Sequence, residues 1–123
     1  MKTICLFTLL MAAPGMLVAK NWREFAGADP RTAGVANPYE GQEEAVRAGE
    51  KLYLRYCATC HGTRAEGSAQ APPLNGAAVG SLPPGKLFWL LRNGSLARGM
   101  PSWSHLPPEQ RWQIVTFLKT YMK

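Results

Sequence analysis

Apolar side chains recur at helical spacing in three stretches of the chain, and these stretches predict three helices. The first stretch runs from Gln42 straight into Cys57, the second covers residues 86–92, and the third begins at Pro107-Pro108-Glu109. Prolines open the last two, and Asn93-Gly94 close the second. Because no run alternates with period two, we expect an all-α fold.

The stretches between these helices are rich in glycine and proline and predict loops over residues 62–82 and around residues 93–106. Residues 20–41 also show no period and predict an extended N-terminal arm. The pattern therefore predicts a single helical domain over residues 42–123.

The N-terminus has the pattern of a secretory signal. Lys2 is followed by an uncharged stretch that ends with Leu17-Val18-Ala19 before Lys20, which predicts a signal peptide over residues 1–19. Leu17 is larger than the residue usually found three positions before a cut. An uncleaved membrane anchor is therefore the alternative, although the stretch reaches only the lower limit for a span. Export predicts a periplasmic location.

The charge balance limits the class of partner. The chain has 14 basic and 8 acidic residues and a net charge of +6. Such a surface favours acidic proteins, but it is too mild and too scattered to indicate nucleic acid.

One short motif points to a cofactor: Cys57-Ala58-Thr59-Cys60-His61 has the Cys-x-x-Cys-His pattern of c-type haem attachment. Its thiols would add to the haem vinyl groups, and the imidazole would bind the iron. A zinc site needs four ligands, and the remaining cysteine, Cys5, lies far away in the N-terminal stretch. A thioredoxin-like pair would need a βαβ context, and a plain disulfide is the other alternative.

With this motif at the end of a first helix, a Met-Pro in a late loop and an aromatic terminal helix, the chain resembles the small single-haem class I cytochromes c. The resemblance covers roughly Asn37 to Tyr121. It implies a fold of three or more helices wrapped around one covalent haem c, bound through Cys57 and Cys60. It also implies that His61 is the proximal iron ligand and Met100 the distal one.

Two other residues compete with Met100. Met122 lies on a helix face at the chain end, where packing explains it, whereas Met100 follows Gly99 in a loop. His105 is the rival ligand, but the prolines just after it suggest a solvent-facing turn. His/Met ligation would give a higher reduction potential than ligation by two histidines.

The resemblance also assigns residues around the haem. A proline carbonyl would accept from the His61 imidazole, which maps onto Pro73, with Pro72 as the alternative, and Leu74 would pack on the haem. Trp103 and Trp89 are expected to line the crevice. Trp112 is expected to pack the terminal helix on the body.

Close crossing of the first and last helices is a further feature of the family. Gly49 and Tyr53 on the first helix fit it, with Phe117, Leu118 and Tyr121 on the last. Separately, the first helix carries a basic residue at every fourth position, and these residues form a stripe: Arg47, Lys51 and Arg55. The stripe is either a solvated face or a docking patch.

These features together predict a one-electron carrier that is not itself an enzyme and that passes electrons between periplasmic redox proteins, such as a dehydrogenase donor and an oxidase or cytochrome acceptor. One alternative is a dedicated haem subunit of a periplasmic, quinoprotein-type dehydrogenase. Another is a haem enzyme or gas sensor with an open iron position.

Overall fold

The computed structural model describes residues 28–121, and within them the chain forms five α-helices and no strand. They are α1 (Glu43–Tyr56), α2 (Ala58–His61), α3 (Ala77–Gly80), α4 (Pro84–Asn93) and α5 (Pro108–Tyr121). Two short 3-10 helices, Pro30–Gly34 and Leu96–Arg98, lie before α1 and after α4. The predicted all-α class is confirmed.

The three helices predicted from periodicity correspond to α1, α4 and α5, whereas α2 and α3 were not predicted. Both missed helices have four residues, which is too short for an apolar period to develop. α3 lies within the stretch predicted to be loop, and Gly76 provides its extended N-cap. The attachment motif itself forms α2, immediately after α1.

The first and last long helices cross at Gly49. A Cβ atom added there would overlap the carbonyl oxygen of Gln113 on α5 and lie 2.9 Å from the Phe117 Cβ. The rings of Tyr53 and Phe117 meet one turn further along, with centroids 5.4 Å apart, and Tyr121 extends the contact to Phe117. The glycine lets the two backbones approach, as expected from the sequence.

α4 also packs on α5 and adds to the core. The Phe88 ring stacks on Trp112 at 4.1 Å, and the Arg111 guanidinium lies 4.5 Å from the centroid of the Phe88 ring. Trp112 therefore packs the terminal helix on the body, as expected. The buried apolar side chains around this contact include Leu87, Leu91, Leu106, Ile114, Val115 and Leu118.

Much of the N-terminal stretch that was predicted to be an extended arm contacts the helical domain. Gly85, on α4, lies so close to the Thr32 carbonyl oxygen that a Cβ atom would overlap it. The buried Asn37 donates from its side-chain amide to the Thr116 hydroxyl on α5, at 2.9 Å. Residues 28–41 thus pack on α4 and α5, while Trp22 and Phe25, the aromatic residues of the predicted arm that could also pack on the domain, lie outside the described residues.

Lys119 joins α5 to the turn between α3 and α4. Its ammonium donates to the carbonyl oxygens of Gly80 and Leu82, the second at 2.9 Å. A cation near the end of a helix satisfies carbonyl groups that have no partner within the helix. The contact holds this turn against the terminal helix.

No helix within residues 28–121 combines the length and the apolar character needed to cross a bilayer. The predicted signal peptide, residues 1–19, lies outside the described residues.

Replacing Gly49 with alanine should destabilise the fold by about 2 kcal/mol. The added methyl group would meet backbone atoms of α5, which cannot move aside as a flexible side chain can, and this outweighs the better helix propensity of alanine. Urea unfolding followed by circular dichroism measures the change. Gly34→Ala is the control, because nothing lies within 4 Å of a Cβ atom there. Equal stability of the two variants would contradict the proposed role of Gly49.

Candidate cofactor site

A large cavity of about 1350 Å³ lies between the end of α1, α2, α4, α5 and the loops that join them. All seven residues that the sequence assigns to the cofactor line this cavity: Cys57, Cys60, His61, Pro73, Leu74, Met100 and Trp103. Trp89 lines it as well. Its volume exceeds the range of about 300–1,000 Å³ that is usual for small-ligand pockets.

Cys57 and Cys60 present their thiols differently although they lie on one helical turn. Cys57 is partly buried at the junction of α1 and α2, whereas Cys60 is exposed. Burial, together with the neighbouring Cys60, raises the pKa of the Cys57 thiol to about 12. Redox-active Cys-x-x-Cys pairs depend instead on a depressed thiol pKa. The site therefore does not favour thioredoxin-like chemistry.

The His61 imidazole is anchored by a backbone carbonyl. Its Nδ1 atom lies 2.8 Å from the carbonyl oxygen of Pro72. A carbonyl can only accept, so Nδ1 carries the proton and Nε2 keeps its lone pair for a metal ion. This corrects the assignment of the anchor to Pro73: the alternative, Pro72, supplies the oxygen, and Pro73 lines the cavity beside it.

The loop after His61 is folded so that Pro72 returns to the imidazole. The Gly67 amide donates to the His61 carbonyl at 2.7 Å, and the Ser68 hydroxyl donates to the Cys60 carbonyl at 2.8 Å. Gly67 has a φ of +81°, and a Cβ atom there would lie 2.6 Å from the Pro73 nitrogen. Only glycine combines that backbone conformation with so close an approach.

Ala65 fixes the far end of the same loop. It is buried, and its φ of +57° places it in the left-handed region, which is uncommon for a residue with a side chain. Its carbonyl oxygen accepts from the amides of Leu74, at 2.8 Å, and Asn75, at 3.1 Å. These bonds position Leu74 next to the cavity.

A tyrosine on α1 holds the residue that follows His61. Tyr53 is fully buried, and its hydroxyl donates to the Gly62 carbonyl at 2.6 Å. Burial, and to a lesser extent Cys57 and Glu66, raises the pKa of this hydroxyl. The phenol therefore keeps its proton through and beyond the usual tyrosine range, and the hydrogen bond is lost only as the pH rises through the raised pKa.

Met100 enters the cavity from the opposite loop. Its backbone pairs with Ser95 through two hydrogen bonds of 2.9 and 3.1 Å, which close a short turn over Leu96–Arg98 and Gly99. Gly99 adopts a φ of +87° in the left-handed region. His105, the rival ligand, is exposed, contacts the Trp103 ring at 5.5 Å and does not line the cavity.

The same loop is tied to the end of α4. The Trp103 amide donates to the Leu91 carbonyl at 2.8 Å, and the Ser102 hydroxyl donates to the Arg92 carbonyl at 2.6 Å. Gly94 has a φ of +66°, and a Cβ atom there would lie 2.6 Å from the Pro101 carbonyl group. Close contact at Gly94 thus keeps Met100 at the cavity.

The composition of the wall fits a large, flat, apolar group with an iron atom. Two thiols, one imidazole and one thioether face a cavity whose inner surface is formed by buried aliphatic residues: Val79, Leu87, Leu91, Ile114 and Leu118. Within residues 28–121 no group of three or more His, Cys, Asp or Glu side chains has the arrangement of a metal site. The donor set suits haem c, with Cys57 and Cys60 for the thioethers and with His61 and Met100 for the iron.

Residues 44–118 match the family model described as cytochrome c oxidase, cbb3-type, subunit III. The chain belongs to this family. Membership makes it a small class I c-type cytochrome, and it implies haem c as the cofactor.

The cytochrome is also similar to a solved structure, cytochrome cL from the marine methylotrophic bacterium Methylophaga aminisulfidivorans. The sequences are 26% identical, and the TM-score is 0.58. The match covers 68% of this chain but 57% of cytochrome cL, so this cytochrome spans little more than half of that protein. No curated protein sequence matches the chain.

Some contributors to the site had no decisive signal in the sequence. Tyr53 was assigned to packing alone, although tyrosine instead of phenylalanine at a buried position is a hint that the hydroxyl has a partner. The sequence marks Gly67 only as a loop glycine and Gly94 only as a helix terminator, because the neighbours that demand glycine come from distant parts of the loops. The choice between Pro72 and Pro73 depends on the loop path, which their sequence does not specify.

Tyr53→Phe should lower the free energy of unfolding by about 1 kcal/mol, because the Gly62 carbonyl loses a buried donor while the ring packing stays. Chemical denaturation of the holoprotein measures it. Tyr39→Phe serves as the matched control, since the Tyr39 hydroxyl has no hydrogen bond within residues 28–121. A loss as large in the control would show that the Tyr53 hydrogen bond contributes nothing specific.

Gly94→Ala should destabilise the protein more than Gly99→Ala. Both glycines have positive φ, which costs alanine about 1 kcal/mol, but a methyl group at position 94 also meets the Pro101 backbone, whereas position 99 is open. Thermal unfolding of the two variants compares them directly. The reverse order would mean that the loop yields at Gly94 without strain.

Proposed function

We propose that the chain carries single electrons through one haem c, joined covalently to Cys57 and Cys60 and ligated by His61 and Met100. The observation that carries this proposal is the meeting of those four side chains at one cavity. When bound, haem supplies one-electron redox chemistry at its iron. The protein supplies the ligands, their orientation and an apolar wall.

His61 is prepared for its role by the Pro72 carbonyl. The hydrogen bond from Nδ1 fixes both the tautomer and the ring direction, and it raises the basicity of the nitrogen that would bind iron. Because the carbonyl belongs to a loop held by Gly67 and Ala65, the imidazole has little freedom to turn.

Met100 is held with similar firmness. Its backbone is paired with Ser95, and its loop is fastened to α4 through Trp103 and Ser102. A thioether is a weak ligand, so a loop that keeps the sulfur in place would help Met100 to hold the iron. Two ligands that stay bound in both oxidation states keep the rearrangement on electron transfer small.

Location and partners follow from the sequence. We assign the chain to the periplasm, because residues 1–19 have the pattern of a signal peptide. If this segment is not cleaved, it would anchor the chain to the membrane. Its partners there are other redox proteins: a dehydrogenase as donor, and an oxidase or another cytochrome as acceptor. Their contacts with this chain are expected to be small and transient.

A second candidate is a dedicated haem subunit that accepts electrons from a periplasmic dehydrogenase. It is favoured by the Gly99-Met100-Pro101-Ser102-Trp103 loop and the tryptophan of the terminal helix, which resemble those of cytochromes that accompany such enzymes. Stable copurification with a dehydrogenase would distinguish a fixed subunit from a free shuttle.

The central experiment tests the ligands. A pyridine haemochrome assay on the purified protein should give haem c, and the ferric form should show the weak red absorption band of Met-bound haem. Met100→Ala should abolish this band and let carbon monoxide bind the ferrous form rapidly, because the sixth position is then open. Absence of haem c would overturn the proposal.

His105→Gln is the control, because His105 does not line the cavity. It should keep the red band and exclude carbon monoxide. If His105→Gln instead removed the sixth ligand, ligation by two histidines would replace the His/Met assignment. Rapid carbon monoxide binding to the unmodified protein would favour a gas sensor or haem enzyme.

A further inference from the structure

Four side chains in contact run from the cavity wall to the protein surface. Tyr56 and Trp103 both line the cavity, and their ring centroids are 5.3 Å apart. Next to them, the Arg55 guanidinium lies 5.2 Å from the centre of the Tyr56 ring, and the His105 ring lies 5.5 Å from that of Trp103. We call Arg55, Tyr56, Trp103 and His105 the aromatic patch.

The side chains of this patch are more exposed the further they lie from the cavity. Tyr56 and Trp103 are half-buried, while Arg55 and His105 are exposed. Tyr56 and Trp103 therefore each contact the cavity and an exposed side chain, Arg55 and His105 respectively. A protein bound here would be close to a redox group in the cavity. Closeness matters because electron tunnelling weakens steeply with distance.

The residue types of the patch are those that dominate protein interfaces. Tryptophan, tyrosine and arginine are enriched among the residues that contribute most to binding energy. Their rings offer large contact area with few rotatable bonds, so little conformational entropy is lost when a partner covers them.

Three basic side chains lead along α1 towards the patch. Arg47, Lys51 and Arg55 follow one another at spacing four along α1, and all three are exposed. Among residues 28–121, Arg47 pairs with Glu43 at 3.6 Å, but Lys51 and Arg55 are in no ion pair. Lys51 has an arginine on each side along the stripe. The unneutralised end of the stripe is therefore the end that adjoins Tyr56.

We propose that the aromatic patch and Lys51 form the docking site for an acidic redox protein, which covers Tyr56 and Trp103 and places carboxylates against Lys51 and Arg55. This proposal rests on the proposed function in electron transfer. A second copy of this chain is a poorer occupant, since it would bring another basic stripe to a basic surface. Taken alone, the stripe favours a solvated face over a docking patch; its continuity with the aromatic residues is what supports docking here.

The rim of the cavity offers a competing surface. Leu96, at the tip of the turn before Met100, is 73% exposed and is the most exposed of the large apolar side chains described. A partner that docked over this turn would depend on Leu96 and be indifferent to Arg55. The two surfaces can therefore be separated by substitution.

The test uses the holoprotein and an acidic single-copper protein in its cupric form. In each productive encounter the reduced cytochrome loses one electron and one cupric centre becomes cuprous, with no bond or proton transferred. Stopped-flow absorbance gives the second-order rate constant at several ionic strengths. Arg55→Glu and Lys51→Glu should each lower it about tenfold at low ionic strength and weaken its dependence on salt.

Arg31→Glu is the control with the same change of charge, on the 3-10 helix that packs against α4 and away from the cavity lining. It should change the rate constant less than twofold, as should Leu96→Ser. Equal slowing by Arg31→Glu would reduce the effect to net charge, and slowing by Leu96→Ser alone would place docking at the cavity rim. Either result overturns the proposal.

Spectra and reduction potentials of all variants keep this outcome separate from the proposed function. If the unmodified holoprotein cannot be reduced and reoxidised reversibly, electron transfer itself fails. If it cycles normally and the Arg55 and Lys51 variants react at the unmodified rate, only the docking site fails.

Discussion

The close crossing of α1 and α5 is the contact on which the site depends. Gly49 brings the helix backbones together, and one turn later Tyr53 meets Phe117 on one side and the Gly62 carbonyl on the other. α1 ends at the attachment motif, so the position of that crossing determines where Cys57 and His61 lie. The same α5 contributes Ile114 and Leu118 to the cavity. The crossing of α1 and α5 thus both packs the core and positions the residues of the site.

The two side chains proposed as iron ligands are held by different means. His61 belongs to a helical turn, and the loop after it folds back until a carbonyl meets the imidazole. Met100 belongs to a loop that is closed by its own pairing with Ser95 and fastened to the end of α4. One ligand is oriented by a hydrogen bond to its ring, and the other by the backbone that carries it. Both devices rely on glycines in the left-handed region, Gly67 and Gly99.

Patterns that extend over a whole helix predicted the architecture well. Helical spacing and proline starts located α1, α4 and α5, and the motif at Cys57–His61 pointed to the cavity. Features that depend on the path of a loop were harder. Pro72 and Pro73 are adjacent and chemically alike, so the choice of anchor depends on how Ala65 and Gly67 turn the chain. The Tyr53 hydroxyl was missed because its partner is a backbone atom, which no side-chain pattern reveals.

The contribution of α5 to the cavity has a consequence for assembly. The cysteines of the motif are synthesised more than fifty residues before Ile114 and Leu118, which close the inner wall. A chain emerging from the ribosome or crossing a membrane therefore presents Cys57 and Cys60 for a long interval before this wall can form. Contacts between distant segments form late in folding because loop closure costs entropy. The topology thus leaves Cys57 and Cys60 accessible in a partly folded chain until the last helix packs.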